Sequence, residues 1–458
     1  MKRPLSSLRV KRPADLLLTN GIILSLAPGS KPISEGALAV VDGRIVAVGA
    51  KSQVESSFEA ARTIDARSGL IMPGLVNAHT HAAMSLFRGM ADDLPLKTWH
   101  EDHIFPAEKK WVNEDFVYWG TLLAIAEMIR SGTTTFADGY FFEEQAALAV
   151  RQSGMRAFLG QGILDFPAPD SPSPAETLKR IERFIQAYSG SPLIHPTLFP
   201  HSVYTCSPDL LRRCRDIGDR YSVPLIIHLA ETKSEVEEVL RKYGRSPVNQ
   251  MESIGLLSPS LVACHCVWLT GPEMNLLAGR GVKVVHNPES NMKLASGVAP
   301  IPELLAREVT VGLGTDGCAS NNNLDIFQEM DSAAKLNKVC RLDPTTMPSN
   351  LVLEMATLGG AKVLGLEREI GSLEVGKRAD IIILDLHRPH LQPIYNIVSH
   401  LVYSATGADV RDVIIDGKPV MQDRRLLTID EERVLQKAQH WKTKISGSRH
   451  QNGRHKGL

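Results

Sequence analysis

Between residues 71 and 314 the chain alternates short apolar runs with amphipathic stretches, and it does so eight times. The runs span 71–77, 133–137, 155–163, 193–199, 224–229, 261–267, 282–286 and 309–314. Amphipathic patterns such as 115–131, 175–189, 234–243 and 271–280 lie between them. A short continuous apolar run reads as a strand buried on both faces, and a 3.6-residue apolar period reads as a helix covering it. Eight β-then-α units predict an α/β fold, a closed (β/α)8 TIM-like barrel over residues 71–370. An open doubly wound sheet is the competing arrangement, but no GxGxxG follows an early strand. In a barrel the reactive residues sit where the strands end.

The flanks read differently. Residues 15–19, 37–41 and 44–48 are short strand-like runs, the last two joined by Asp42-Gly43, a strong hairpin signal. Residues 379–385 and 410–420 repeat the style near the other end. Neither piece buries a core alone, so residues 1–70 and 371–430 are expected to build one small β-sandwich from both chain ends. Residues 431–458 read as a helix and a tail, disordered from Ser446 because it is polar, basic and glycine-containing.

Equal numbers of basic and acidic residues, 51 each, argue against a nucleic-acid partner. No apolar stretch approaches a membrane span, and Met1–Val10 is basic without the apolar core of a signal peptide. The six cysteines show no disulfide framework, which suits a reducing cytoplasm. Cys264 and Cys266 flank His265 but read as small core residues rather than thiolate ligands.

Several of the runs end in chemistry. His79 and His81 stand two residues apart after the first run, and residues at i and i+2 of a strand share a face. His228 ends the fifth run and Asp316 follows the eighth. Three imidazoles and a carboxylate converging on a barrel mouth suit zinc, iron or manganese. An open position on such a metal serves water, which a catalytic zinc makes ionisable near neutral pH. Glu231, three residues after His228, is placed to carry protons beside the metal. His265 offers three roles: second metal ligand, water-activating partner or core histidine. No lysine ends runs three to five to provide a bridging carbamate, so one metal is expected, with His265 and Asp316 orienting or deprotonating the water. His201 reads as a ligand-contacting loop residue and His286 as structural. Glu108 reads as an ordinary surface acid.

The segments Asn77-Ala-His-Thr-His-Ala-Ala-Met-Ser-Leu-Phe-Arg-Gly-Met, His228-Leu-Ala-Glu231, Ala263-Cys-His-Cys-Val-Trp268, Val285-His-Asn-Pro-Glu-Ser-Asn-Met-Lys-Leu294 and Leu313-Gly-Thr-Asp-Gly-Cys-Ala-Ser-Asn-Asn322 together resemble the amidohydrolase superfamily. Within it they are similar to the branch of amino-heterocycle deaminases and triazine hydrolases, and most of all to the group acting on 5′-methylthioadenosine and S-adenosylhomocysteine. The resemblance covers almost the whole chain. It implies one zinc per subunit on His79, His81, His228 and Asp316, and catalytic roles for Glu231, His265 and Asp316. It makes Glu108 and His201 contacts of the ribose hydroxyls. Gln161 stands where some members carry an arginine near the nucleoside's 5′ side, so it is expected to touch substrate and to leave the 5′ preference open. Hydrolysis at C6 of the adenine, releasing ammonia, is the implied reaction, and self-association is implied as well. The competing readings are a triazine or other N-heterocycle hydrolase on the same mononuclear site, and a scaffold that has lost catalysis. The second should lack a ligand or the acid, and none is missing here.

Overall fold

The computed structural model describes residues 11–94 and 98–453, with the backbone alone for 448–453. Eight parallel strands follow one another in chain order. They are β1 (Leu75–Thr80), β2 (Thr133–Tyr140), β3 (Arg156–Ile163), β4 (Ile194–Pro200), β5 (Leu225–Leu229), β6 (Leu261–His265), β7 (Lys283–His286) and β8 (Val311–Leu313). Helices such as Glu114–Arg130, Pro174–Tyr188 and Pro208–Tyr221 carry the chain back between them. This is the eight-unit barrel that the alternation predicts. Val76, Ala137, Phe158, Phe199, Ile226, Val262, Cys264 and Val285 form one buried apolar cluster drawn from seven of these strands. It fills the interior, as small barrels require.

The seam between first and last strands is closed by few bonds. The Asp316 N–H donates to the His79 carbonyl at 3.0 Å, and the Thr315 N–H donates to Asn77 Oδ1, also at 3.0 Å.

The run 71–77 divides in two. Leu70–Pro73 belongs to a second sheet, and only after Gly74 does β1 begin. A Cβ on Gly74 would lie 2.2 Å from the Thr134 side chain, so a residue without one is needed where the chain passes between sheets. The second sheet is mixed, nine-stranded and built from both chain ends. Leu70–Pro73 pairs in parallel with Arg12–Ile23 on one side and antiparallel with Ile381–Leu384 on the other. Ile33–Val41 and Arg44–Ala50 pair antiparallel across the Asp42-Gly43 turn, both turn residues having positive φ (50° and 73°), as a tight hairpin demands.

A buried ion pair joins the two sheets. Arg156, at the start of β3, donates through Nε and Nη2 to both oxygens of Asp380 at 3.0 and 3.1 Å. Their side chains are 3% and 2% exposed.

At the far end the helix Glu431–Gly453 continues past Ser446, where the sequence predicts a disordered tail. Residues 454–458, and the basic segment 1–10 read for a leader, lie outside the described residues. Among the described residues, no helix is long and apolar enough to cross a membrane.

Candidate active site

Strict alternation along β1 would not bring His79 inward, because Val76 and Ala78 already belong to the interior cluster. The register with β2 slips between Asn77 and Thr80: three steps on β1 match two on β2. This bulge adds one residue and re-aims the strand end, so His79 stacks on Phe199 of the interior with ring centroids 5.9 Å apart. Left-handed backbone turns the other contributors: Ala230 (φ 50°), His265 (φ 71°) and Asp316 (φ 62°). Such conformations are uncommon for residues with a Cβ and gather where function over-determines the backbone.

His79, His228, His265 and Asp316 each offer a ligand atom, and these atoms lie within 4.8 Å of one another. His81 closes on the same point, its Nε2 lying 3.2 Å from both His228 Nε2 and Asp316 Oδ1. Five side chains therefore converge, the four expected ligands and His265. Neighbours fix their presentation. The His81 Nδ1–H donates to the Gly139 carbonyl at 2.7 Å, which turns Nε2 toward the cluster. Asp138 Oδ1 accepts from the hydroxyl of Thr80 at 3.0 Å and the N–H of Ala82 at 2.7 Å, on either side of His81. Asp316 Oδ2 accepts from Ser290 Oγ at 2.6 Å and Ser320 Oγ at 2.9 Å, while Oδ1 accepts the Gly317 N–H at 2.8 Å and faces the cluster. The His265 Nδ1–H donates to Asn291 Oδ1 at 2.9 Å, so its Nε2 also faces inward as a base.

The electrostatics favour a cation here. Neither ring nitrogen of His79 has a hydrogen-bond partner, although the residue is 1% exposed. Burial lowers His79 to about 4, while His81, beside Asp316, is held at about 9 despite burial. Burial works to raise the Asp316 carboxyl, but the His79 and His81 rings beside it, with Nε2 3.4 and 3.2 Å from Oδ1, outweigh burial and hold it well below the usual carboxylate range. A buried carboxylate ringed by imidazoles thus draws one positive charge to itself, which a divalent ion fits better than a proton. The donor set, imidazole nitrogens with one carboxylate oxygen, suits zinc, iron or manganese.

Above the cluster opens a cavity of about 750 Å³. Glu231 lines it, with Oε2 4.0 Å from His265 Nε2, and burial raises its carboxyl. Glu108 and His201 line it as well. Glu108 is buried, not a surface acid. It accepts the Tyr140 hydroxyl at 2.8 Å, and burial pushes its carboxyl up to about 7. His201 Nδ1 faces Thr205 Oγ1 at 3.0 Å, and burial holds the ring neutral down to about 3.

Gln161 does not join them. Gly162 lines the cavity, whereas the Gln161 side chain, one residue earlier on β3, bonds Asp170 through its amide. His286 is fully buried and does not line the cavity, and Cys264 and Cys266 are buried free thiols. The sequence reading missed the roof, where Trp99, His100, Ile104 and Phe105 come from a helical segment after the first barrel strand. Nothing in its pattern distinguishes that segment from an ordinary amphipathic helix. Ser290, Ser320 and Asn291 were missed too, although all three lie inside the motifs that carry the resemblance.

Residues 70–420 match the family model for the amidohydrolase family. The chain belongs to the amidohydrolase family. Among its relatives in that family, a 5-methylthioadenosine/S-adenosylhomocysteine deaminase of Syntrophobacter fumaroxidans is 56% identical over 93% of this chain and 97% of its own length. A 5′-deoxyadenosine deaminase of Methanosarcina mazei is 46% identical over 93% of this chain and 97% of its own. Among amidohydrolase structures, an adenosine deaminase from Xanthomonas campestris with bound zinc superposes with a TM-score of 0.94 at 41% identity. It covers 96% of this chain and 100% of that one.

Proposed function

We propose that the protein hydrolytically deaminates adenine nucleosides altered at the 5′ position, such as 5′-methylthioadenosine, S-adenosylhomocysteine or 5′-deoxyadenosine, using one zinc ion per chain. The observation that carries the reaction type is the placement of Glu231: a buried carboxyl 4.0 Å from His265 Nε2 in the cavity above the imidazole cluster. The nucleoside class is supported by the full-length likeness to the relatives named above.

His79, His81, His228 and Asp316 would hold the zinc, His81 being the histidine presented by Gly139 and by the Asp138 clamp on its neighbours. When bound, zinc supplies a Lewis-acidic centre at which water ionises near neutral pH. His265, a base at Nε2, accepts the proton of the attacking water together with Asp316. Glu231, its carboxyl raised by burial, delivers a proton to a purine ring nitrogen as C6 is attacked, so negative charge does not accumulate on the base. The amino group takes the water-derived proton and leaves as ammonia, and the C6 hydroxyl proton returns to Glu231 as the carbonyl forms. Glu108 supplies an acceptor for the ribose hydroxyls, and His201, neutral, pairs with them from the facing loop.

The test is ammonia release by zinc-loaded protein from the three nucleosides named, with adenosine and a chlorotriazine alongside. Turnover of the adenosine-type compounds that Glu231→Gln abolishes while zinc content holds is the expected result. Full activity in Glu231→Gln, or turnover of the triazine alone, would refute the proposal.

A further inference from the structure

Two helices of the barrel begin with the same four-residue signal, a threonine at the N-cap and a glutamate three residues on. In the helix Gly271–Gly279 the glutamate does what a capping box asks: Glu273 Oε2 accepts the N–H of its own N-cap, Thr270, at 2.7 Å. In the helix Lys233–Tyr243 it does something else. Thr232 Oγ1 still caps the helix by accepting the Glu235 N–H at 3.1 Å. The Glu235 carboxylate, however, reaches past Thr232. Its Oε1 accepts the Ala230 N–H at 3.0 Å and its Oε2 the Glu231 N–H at 2.7 Å.

Those two amides belong to the turn that decides where Glu231 points. Ala230 holds a left-handed backbone (φ 50°), which an alanine keeps only when its surroundings impose it. On its other side the Ala230 carbonyl accepts the N–H groups of Val267 and Trp268 at 3.0 and 2.9 Å, just beyond His265. The peptide that aims Glu231 is thus pinned by a carboxylate on one side and by the His265 loop on the other. Glu235 is 6% exposed and lies outside the metal cluster.

We propose that Glu235 is a positioning residue for the reaction: its carboxylate, diverted from capping its helix, locks the 230–231 backbone so that Glu231 enters the cavity beside His265. This rests on the reading of Glu231 as the proton carrier.

The helix Gly271–Gly279 supplies the control. Glu235→Ala and Glu235→Gln are compared with Glu273→Ala, which removes a helix-start carboxylate that accepts neither the Ala230 nor the Glu231 amide. Kinetics, zinc content and peptide-level hydrogen exchange across 229–232 are measured on zinc-loaded enzyme. Glu235→Ala should lose about 100-fold in kcat with little change in KM and full zinc, as a displaced proton carrier does. Glu235→Gln, whose amide oxygen accepts one N–H while its NH2 opposes the other, should fall between, and it decides the matter if the alanine variant does not fold. Exchange across 229–232 should quicken in both and stay unchanged in Glu273→Ala. A Glu235 variant within a factor of about 3 of the parent kcat, or an equal loss in Glu273→Ala, overturns the proposal. A parent enzyme inactive on every adenosine-type compound would refute the deaminase reading instead. The exchange result would then stand alone: unchanged protection in Glu235→Ala overturns the clamp, and lost protection sustains it.

Discussion

Replacing Asp380 by alanine should cost more stability than any surface change of similar size. Asp380 receives two charge-assisted hydrogen bonds from Arg156, at 3.0 and 3.1 Å, where both side chains are almost fully enclosed. It also accepts the Asp416 N–H at 2.8 Å. A guanidinium cannot shed its proton, and although burial works against its charge, Asp380 more than compensates. Removing the carboxylate leaves that charge with only the more distant Asp416, 3.9 Å away, and the Pro192 carbonyl, and breaking a buried pair on one side costs about 3–5 kcal/mol. The orphaned Asp416 amide adds about 1 kcal/mol. Arg156 also borders a wide crevice at the foot of the barrel, through which water can relieve the loss. The expected destabilisation is therefore near the lower end, about 3–4 kcal/mol. Urea unfolding of the metal-loaded protein near neutral pH, followed by far-UV circular dichroism, reads it directly. Arg156→Met with Asp380→Leu removes both charges and should recover to within about 1 kcal/mol of the parent. The reasoning fails if Asp380→Ala costs less than about 1 kcal/mol, or if the double variant is as unstable as the sum of the singles.

Two further outcomes test the site and its surroundings. His81→Ala should lose bound zinc on dialysis, whereas His265→Ala should keep zinc and lose turnover; the reverse pattern of metal content would exchange their roles. His195, stacked on Phe158 at 4.7 Å, is pushed down to about 4 by burial and then by Arg156, from an ordinary 6.5. Between those values the unfolded chain takes a proton that the folded protein refuses, so stability falls as pH drops through the window, by at most about 3 kcal/mol. His195→Phe keeps the stack and should flatten that decline relative to the parent in paired unfolding curves at either side of the window.

The barrel was legible because its strands are buried on both faces and therefore read as unbroken apolar runs between helical periods. The terminal sheet was legible in composition and at the Asp42-Gly43 turn. The break at Gly74 was not, because two consecutive strands buried in different sheets look like one run until Thr134 is seen to occupy the place of a side chain. At the site, Glu231 and the histidines could be found as polar residues ending apolar runs, a local signal. Ranking His81 against His265 could not be local, since it depends on a bulge and on positive φ at His265. Glu108 was readable only by resemblance, because the hydroxyl it accepts belongs to Tyr140, more than thirty residues away. Gln161 shows the limit of resemblance: a matching position does not say which way the side chain faces.

The strand Leu70–Pro73 has a consequence for how the chain comes into being. Every one of its residues is buried, and one of its edges is covered only by Ile381–Leu384. During synthesis that partner emerges about 300 residues later, on the order of 15–60 s at ribosomal rates of about 5–20 residues per second. For that time an apolar edge with free amides and carbonyls is held next to strands already able to pair, the arrangement that invites association between nascent chains. Efficient production of this protein therefore depends on what shields that edge, and a truncation before residue 381 should yield aggregates rather than a stable barrel.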